Sequence, residues 1–191
     1  MIRLLNAGEV SLSEILARTE DKRDIAGTVS AILADVRQNG DAALRRYTKE
    51  FDGAEPDALE VPADRLDQAL AGLDRDLRAV LEEAAENIRR FHERQKHNDF
   101  LLADRPGVVM GQRWTPIEKV GICVPRSPEA FPSTILMNVI PAQIAGVQDI
   151  VLVTPPRPDG SVSPEALMAA ELAEVTEVFK IGGAQAVAAL A

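Results

Sequence analysis

Gly182-Gly183-Ala184-Gln185 follows the short apolar run Glu177–Ile181 and leads into an alanine-rich segment. Paired glycines where a strand feeds a helix let a ligand approach the backbone, and the first N–H groups of that helix favour a phosphate. The same pair also suits a plain strand-to-helix turn, and the full G-x-G-x-x-G spacing of a dinucleotide site is missing. Both readings stand. The second stretch with chemical content runs from Cys123 through Pro125, Arg126 and Ser127 to Ser133 and Thr134. It is another strand-to-helix junction, so it and the glycine loop are expected to flank one crevice at the carboxyl ends of the strands. Cys123 has a reactive-thiol reading and a small, buried apolar reading; with no histidine nearby in sequence, the second is preferred. Ser133 lacks the G-x-S-x-G surroundings of an activated serine and suits a helix N-cap, with its hydroxyl facing the crevice.

Phe91-His92-Glu93-Arg94-Gln95-Lys96-His97 resembles the zinc motif H-E-x-x-H only superficially. Its histidines are five apart, about 140° around a helix, whereas ligation needs i,i+4 on one face. These are the only histidines, and Cys123 is the only cysteine, so no internal disulfide or thiolate metal cluster is possible. No catalytic set and no metal site is read from these residues. The 191 residues carry 21 Lys plus Arg against 30 Asp plus Glu, a net charge of −9, which argues against nucleic-acid binding. No apolar run approaches the roughly 18–20 residues a membrane span needs. The first 24 residues carry charges where a signal peptide would be apolar, so a soluble cytoplasmic protein is expected.

Positioning these residues falls to two unlike regions. Residues 1–106 hold 38 charged residues and 107–191 hold 13. A helical N-terminal region, 1–106, is therefore expected to join an α/β region, 107–191, near Asp104–Gly107. Ser11 and Glu14 have capping-box spacing, with Val10 able to staple onto Ile15. Ile25, Val29, Ile32, Leu33 and Val36 mark a helical face stopped at Asn39-Gly40; Asp41 is expected to cap the next helix, which turns at Asp52-Gly53. Leu66, Leu70, Leu73, Leu77, Leu81, Ala84, Ile88 and Phe91 form a longer stripe, split near Gly72 with Asp74 as a cap. Such a stripe packs against the same chain or a partner subunit.

The second region reads β-α-β-α-β-α. Strands are expected at Val120–Val124, Asp149–Thr154 and Glu177–Ile181. Helices are expected from Ser133 or Thr134 to Gly146, from Pro164 to about Ala173, and from the glycine pair to Ala191. Pro141 should kink or shorten the first of them. The order suits right-handed crossovers and a parallel sheet, an incomplete Rossmann-like domain. The last helix ends in Val-Ala-Ala-Leu-Ala without a cap, leaving an apolar face that nothing is expected to cover, as in a chain truncated at its C-terminus.

Taken together, several of these blocks resemble the N-terminal portion of histidinol dehydrogenases. The resemblance rests on Gly40–Gly53, Asn87–Gln95, Gly111-Gln112, Pro116–Gly121, Pro132–Asn138, Pro141-Ala142, Val151–Pro156 and Gly182–Ala191. It implies an NAD-dependent, zinc-containing homodimer that oxidises histidinol through the aldehyde to histidine, the last step of histidine biosynthesis. It further implies that Gln185 contacts the cofactor and that Ser133 lies near the substrate pocket. Cys123 stands where the family usually has an NAD-contacting tyrosine, and Arg126-Ser127 where it usually has Gly-Gly. Arg126 is then a candidate to pair with a cofactor phosphate. The family's catalytic glutamate–histidine pair and zinc ligands lie beyond the equivalent of Ala191, so this chain alone is expected to be inactive. Two other readings remain open: a dehydrogenase of the same family acting on another small alcohol, and a non-catalytic binding or dimerisation module.

Overall fold

The structure, a computed structural model, describes residues 8, 10–13, 24–72, 74–126, 131–175 and 177–191. Glu14 and Ile15, on which the expected capping box and staple depend, lie outside the described residues, as does Leu73 of the stripe.

The elements run α1 (Ile25–Asn39), α2 (Asp41–Asp52), α3 (Ala63–Ala71), α4 (Arg75–His92), β1 (Phe100–Arg105), β2 (Val108–Gln112), β3 (Lys119–Cys123), α5 (Pro132–Ala145), β4 (Asp149–Val153), α6 (Pro164–Leu172), β5 (Glu177–Phe179) and α7 (Gly183–Leu190). β3, β4 and β5 form a parallel sheet in that order, pairing Cys123 with Val153 and Val153 with Phe179. The expected alternation of parallel strands and helices is therefore present.

Strand period decides which layer each side chain joins. Leu152 of β4 points into a core with Ile122, Leu136, Ile140, Met168 and Val178, closed by Leu66 and Leu81 from α3 and α4. Its neighbours Val151 and Val153 point the other way, into a core with Ile32, Val36, Ala43, Leu44 and Ala186 from α1, α2 and α7 and with Ile181 from the segment after β5. The sheet is thus covered on both faces. Both cores draw residues from either side of position 106, so the change in composition there is no boundary in packing. Leu59–Val61 also lies antiparallel along the outer edge of β5, with Val61 N–H on the Val178 carbonyl at 2.8 Å and Lys180 N–H on the Leu59 carbonyl at 2.6 Å.

Asp104–Gly107, expected as a join, is the end of a β-hairpin. β1 and β2 pair antiparallel, Leu101 opposite Gly111 and Leu102 opposite Met110, and Gly107 takes a φ of +76° in the turn. A side chain is strained at that angle, which explains the glycine.

Asp74 caps α4 as expected, accepting from the N–H groups of Asp76 and Leu77. Asp41 does not cap α2: Gly40 occupies that position and Asp41 is the first helical residue. Ser133 and Thr134 do not cap α5 either, because the helix already begins at Pro132 with Phe131 before it. Proline is pre-set for a first turn and needs no donor there. Pro141 does not end α5, which continues to Ala145. α7 is not bare: α1 packs along it and α2 touches it, burying Ala186 while Val187 stays exposed. α1 supplies the covering face, separated from α7 in sequence by more than 140 residues.

Candidate ligand crevice at the ends of the parallel strands

The three parallel strands deliver their following segments to one edge of the sheet. Residues after β3 (124–126), β4 (154–156) and β5 (180–183) meet there and are tied in sequence across the strands. Val124 N–H donates to the Val153 carbonyl at 2.9 Å, and Thr154 N–H donates to the Phe179 carbonyl at 3.0 Å. A Cβ on Gly182 would collide with the ring of Pro155, so only glycine permits these two segments to touch as closely as they do. Gly182 itself is extended, with φ −141°, and any residue could adopt that backbone. Its smallness answers to Pro155. Gly183, by contrast, has φ +63° and opens α7 in a conformation that side chains disfavour. The turn reading of the pair is therefore built into the structure.

Gln185 sits in the first turn of α7 and is 1% exposed. Its carboxamide folds back beneath Gly183: the position a Gly183 Cβ would take lies 2.7 Å from Gln185 Oε1. That oxygen is buried and accepts no hydrogen bond. An unpaired buried acceptor costs about 1–3 kcal/mol, so a donor brought to it would be stabilised. This is the chemical opening of the crevice, at a helix N-terminus whose free N–H groups also attract negative charge.

Cys123 is the last residue of β3, an edge strand of the sheet, and is exposed there, not buried as its apolar run suggested. What burial its thiol has pushes its pKa up, which keeps it protonated and a poor nucleophile. Ser133 is exposed in the first turn of α5, and among the described residues it makes no hydrogen bond to the loops of the crevice. Arg126 does engage them. Its Nη1 donates to the Pro156 carbonyl at 2.8 Å and to the Asp52 carbonyl at 3.4 Å, with Nη2 3.9 Å from Asp52 Oδ1. Asp52 is the residue that sequence reasoning missed. It read only as part of a turn, and its partner lies 74 positions away.

The histidines do not join this site. His92 Nδ1 lies 2.6 Å from Gln95 Oε1, and His97 stacks on Trp114 with ring centroids 4.2 Å apart. Among the described residues no group of three or more His, Cys, Asp or Glu is placed to hold a metal. Two cavities lie elsewhere, about 840 Å³ beside α3 and α6 and about 730 Å³ between the sheet and α2. Neither is lined by Gln185, Cys123 or Arg126. Among the described residues, no helix is long and apolar enough to cross a membrane.

The family model for histidinol dehydrogenase matches residues 16–191. Histidinol dehydrogenase of Methanosarcina mazei is 45% identical over 190 residues, covering 99% of this chain and 44% of that protein. The Bacillus subtilis protein of the same name is 45% identical over 175 residues, covering 92% of this chain and 40% of its own. The crystal structure of histidinol dehydrogenase from Elizabethkingia anophelis superposes with a TM-score of 0.86 at 35% identity, over 94% of this chain and 42% of that one. The chain thus spans less than half the length of these relatives, and it belongs to the histidinol dehydrogenase family.

Proposed function

We propose that this chain supplies the NAD-binding crevice of a histidinol dehydrogenase, an oxidoreductase that converts histidinol through the aldehyde to histidine. The observation that carries the reading is the Gln185 carboxamide, buried at the first turn of α7 with its oxygen unpaired. Gln185 Oε1 would accept a hydrogen bond from a hydroxyl or amide of the dinucleotide. The N–H groups that open α7 would face its phosphates, and Gly183 would keep that backbone uncovered. Cys123 and Gly182 line the same edge, and Ser133 faces the substrate side. When bound, NAD supplies a hydride acceptor. The chain's own part is to bind and orient it, and to keep the sheet-end segments from closing over its position.

On this reading proton transfer and zinc ligation come from residues this chain does not contain, and the 191 residues alone do not oxidise histidinol. A second copy of the complete protein completes a cytoplasmic homodimer. The test is equilibrium titration with NAD. The protein binds it, and Gln185→Ala weakens binding about tenfold, as expected for losing one hydrogen bond to a buried amide. Equal affinity in the variant would remove Gln185 from the cofactor site.

A further inference from the structure

We infer that Arg126 is a positioning residue rather than a phosphate ligand: with Asp52 it clamps α2 to the strand-end segments that form the crevice. Its guanidinium is already committed. Nη1 donates to both the Pro156 carbonyl at 2.8 Å and the Asp52 carbonyl at 3.4 Å, at the C-terminal end of α2, and Nη2 lies 3.9 Å from the Asp52 carboxylate. A cation at that end of a helix satisfies free carbonyls and complements the dipole. The Asp52 side chain is only 10% exposed, so its charge needs a partner. Burial pushes its carboxyl pKa up and the Arg126 charge pulls it down.

The clamp continues mechanically. Pro156, which receives Arg126, is buried and adjoins Pro155, and Pro155 packs against Gly182. Gly182 precedes Gly183, whose missing Cβ leaves room for the Gln185 amide. Pull on Arg126 is thereby transmitted to the residue that carries the cofactor reading. The sequence feature that enables it is the single arginine, Arg126, three residues beyond the end of β3.

The link itself is independent of NAD, whereas its consequence for the cofactor rests on the crevice reading. Hydrogen exchange tests the link. Arg126→Ala and Asp52→Ala each speed exchange of the Val124 and Thr154 amides about tenfold, and the double variant is no faster than either single one. Exchange at Val139 and Ile140 in α5 stays unchanged. Where an alanine variant fails to fold, Arg126→Lys and Asp52→Asn carry the same comparison. Unchanged exchange, or effects that multiply in the double variant, would overturn the clamp.

NAD titration then separates the two roles. A positioning role weakens NAD about fivefold in both single variants and no further in the double. Loss in Arg126→Ala with none in Asp52→Ala would mark a direct phosphate contact and overturn the proposal. Failure of the unaltered protein to bind NAD would remove the crevice reading, while the exchange result would still decide whether the clamp exists.

Discussion

The parallel sheet and the β1–β2 hairpin are built from equally apolar strands with opposite fates. Leu152 in β4 is 1% exposed, while Leu101 in β1 is 78% exposed and Val109 in β2 is 70% exposed. Every residue of the hairpin strands is exposed. β-Propensity and hydrogen bonding are satisfied in both, so neither explains the difference. What differs is the layering. β4 lies between helices on both faces, whereas among the described residues no helix packs closely on the hairpin. An apolar strand contributes to stability only through what covers it.

The sharpest contrast should come from truncating one side chain in each region. Leu152→Ala is expected to cost about 3 kcal/mol, a large-to-small change in a closed core. Leu101→Ala should cost less than about 0.5 kcal/mol. Denaturant titration of the two variants reads this directly, and equal losses would show that coverage by helices does not set the difference. Next in size, Gly182→Val should cost about 2 kcal/mol, because the new side chain drives into Pro155 where the structure cannot give. Gly107→Ala, strained at φ +76°, should cost about 1 kcal/mol within the hairpin alone. Hydrogen exchange would then rise at the Leu102–Met110 pairing and nowhere in β4.

The smallest effect is acid-dependent and belongs to the layered region. Asp35 on α1 is held below the ordinary aspartate value of 3.8, first by its hydrogen bond with Tyr47, then by those from Asn39 and Arg46. Tyr47 and Arg46 belong to α2, so this contact pins α1 to α2. In the folded state Asp35 keeps its charge at a pH where the unfolded chain has begun to take up a proton. Its contribution is therefore complete above about pH 3.8 and is lost as pH falls through the lower folded value. Asp35→Asn should flatten this part of the acid-unfolding curve slightly, leaving hairpin exchange unaltered. An unchanged acid limb would remove Asp35 from that account.

The same contrast explains what was legible in the sequence. The parallel strands announce themselves as short apolar runs, and their helices carry local stop and start signals at Gly40, Asp74 and Pro164. Those signals act within a few residues, where sequence reasoning is strongest. The hairpin was missed because Phe100–Arg105 and Val108–Gln112 show no in/out alternation, and their Pro-Gly turn resembled a junction between regions. The covering of α7 by α1 and the Arg126–Asp52 contact escaped notice because their partners are far apart in the chain. Gln185 was visible through family resemblance alone. Its buried, unpaired oxygen depends on Gly183 leaving space, and no local pattern encodes that.

Gln185, buried with its oxygen unpaired in the first turn of α7, is the residue on which the proposed NAD site depends. The most direct test is to titrate isotopically labelled protein with NAD and follow its amide signals by NMR. The account predicts shifts at Gly182, Gly183 and the Gln185 side-chain amide, with the hairpin signals of Leu101 and Val109 unmoved. Binding that shifts Arg45, Lys119 and Leu190, around the cavity between the sheet and α2, while leaving Gln185 in place would contradict it.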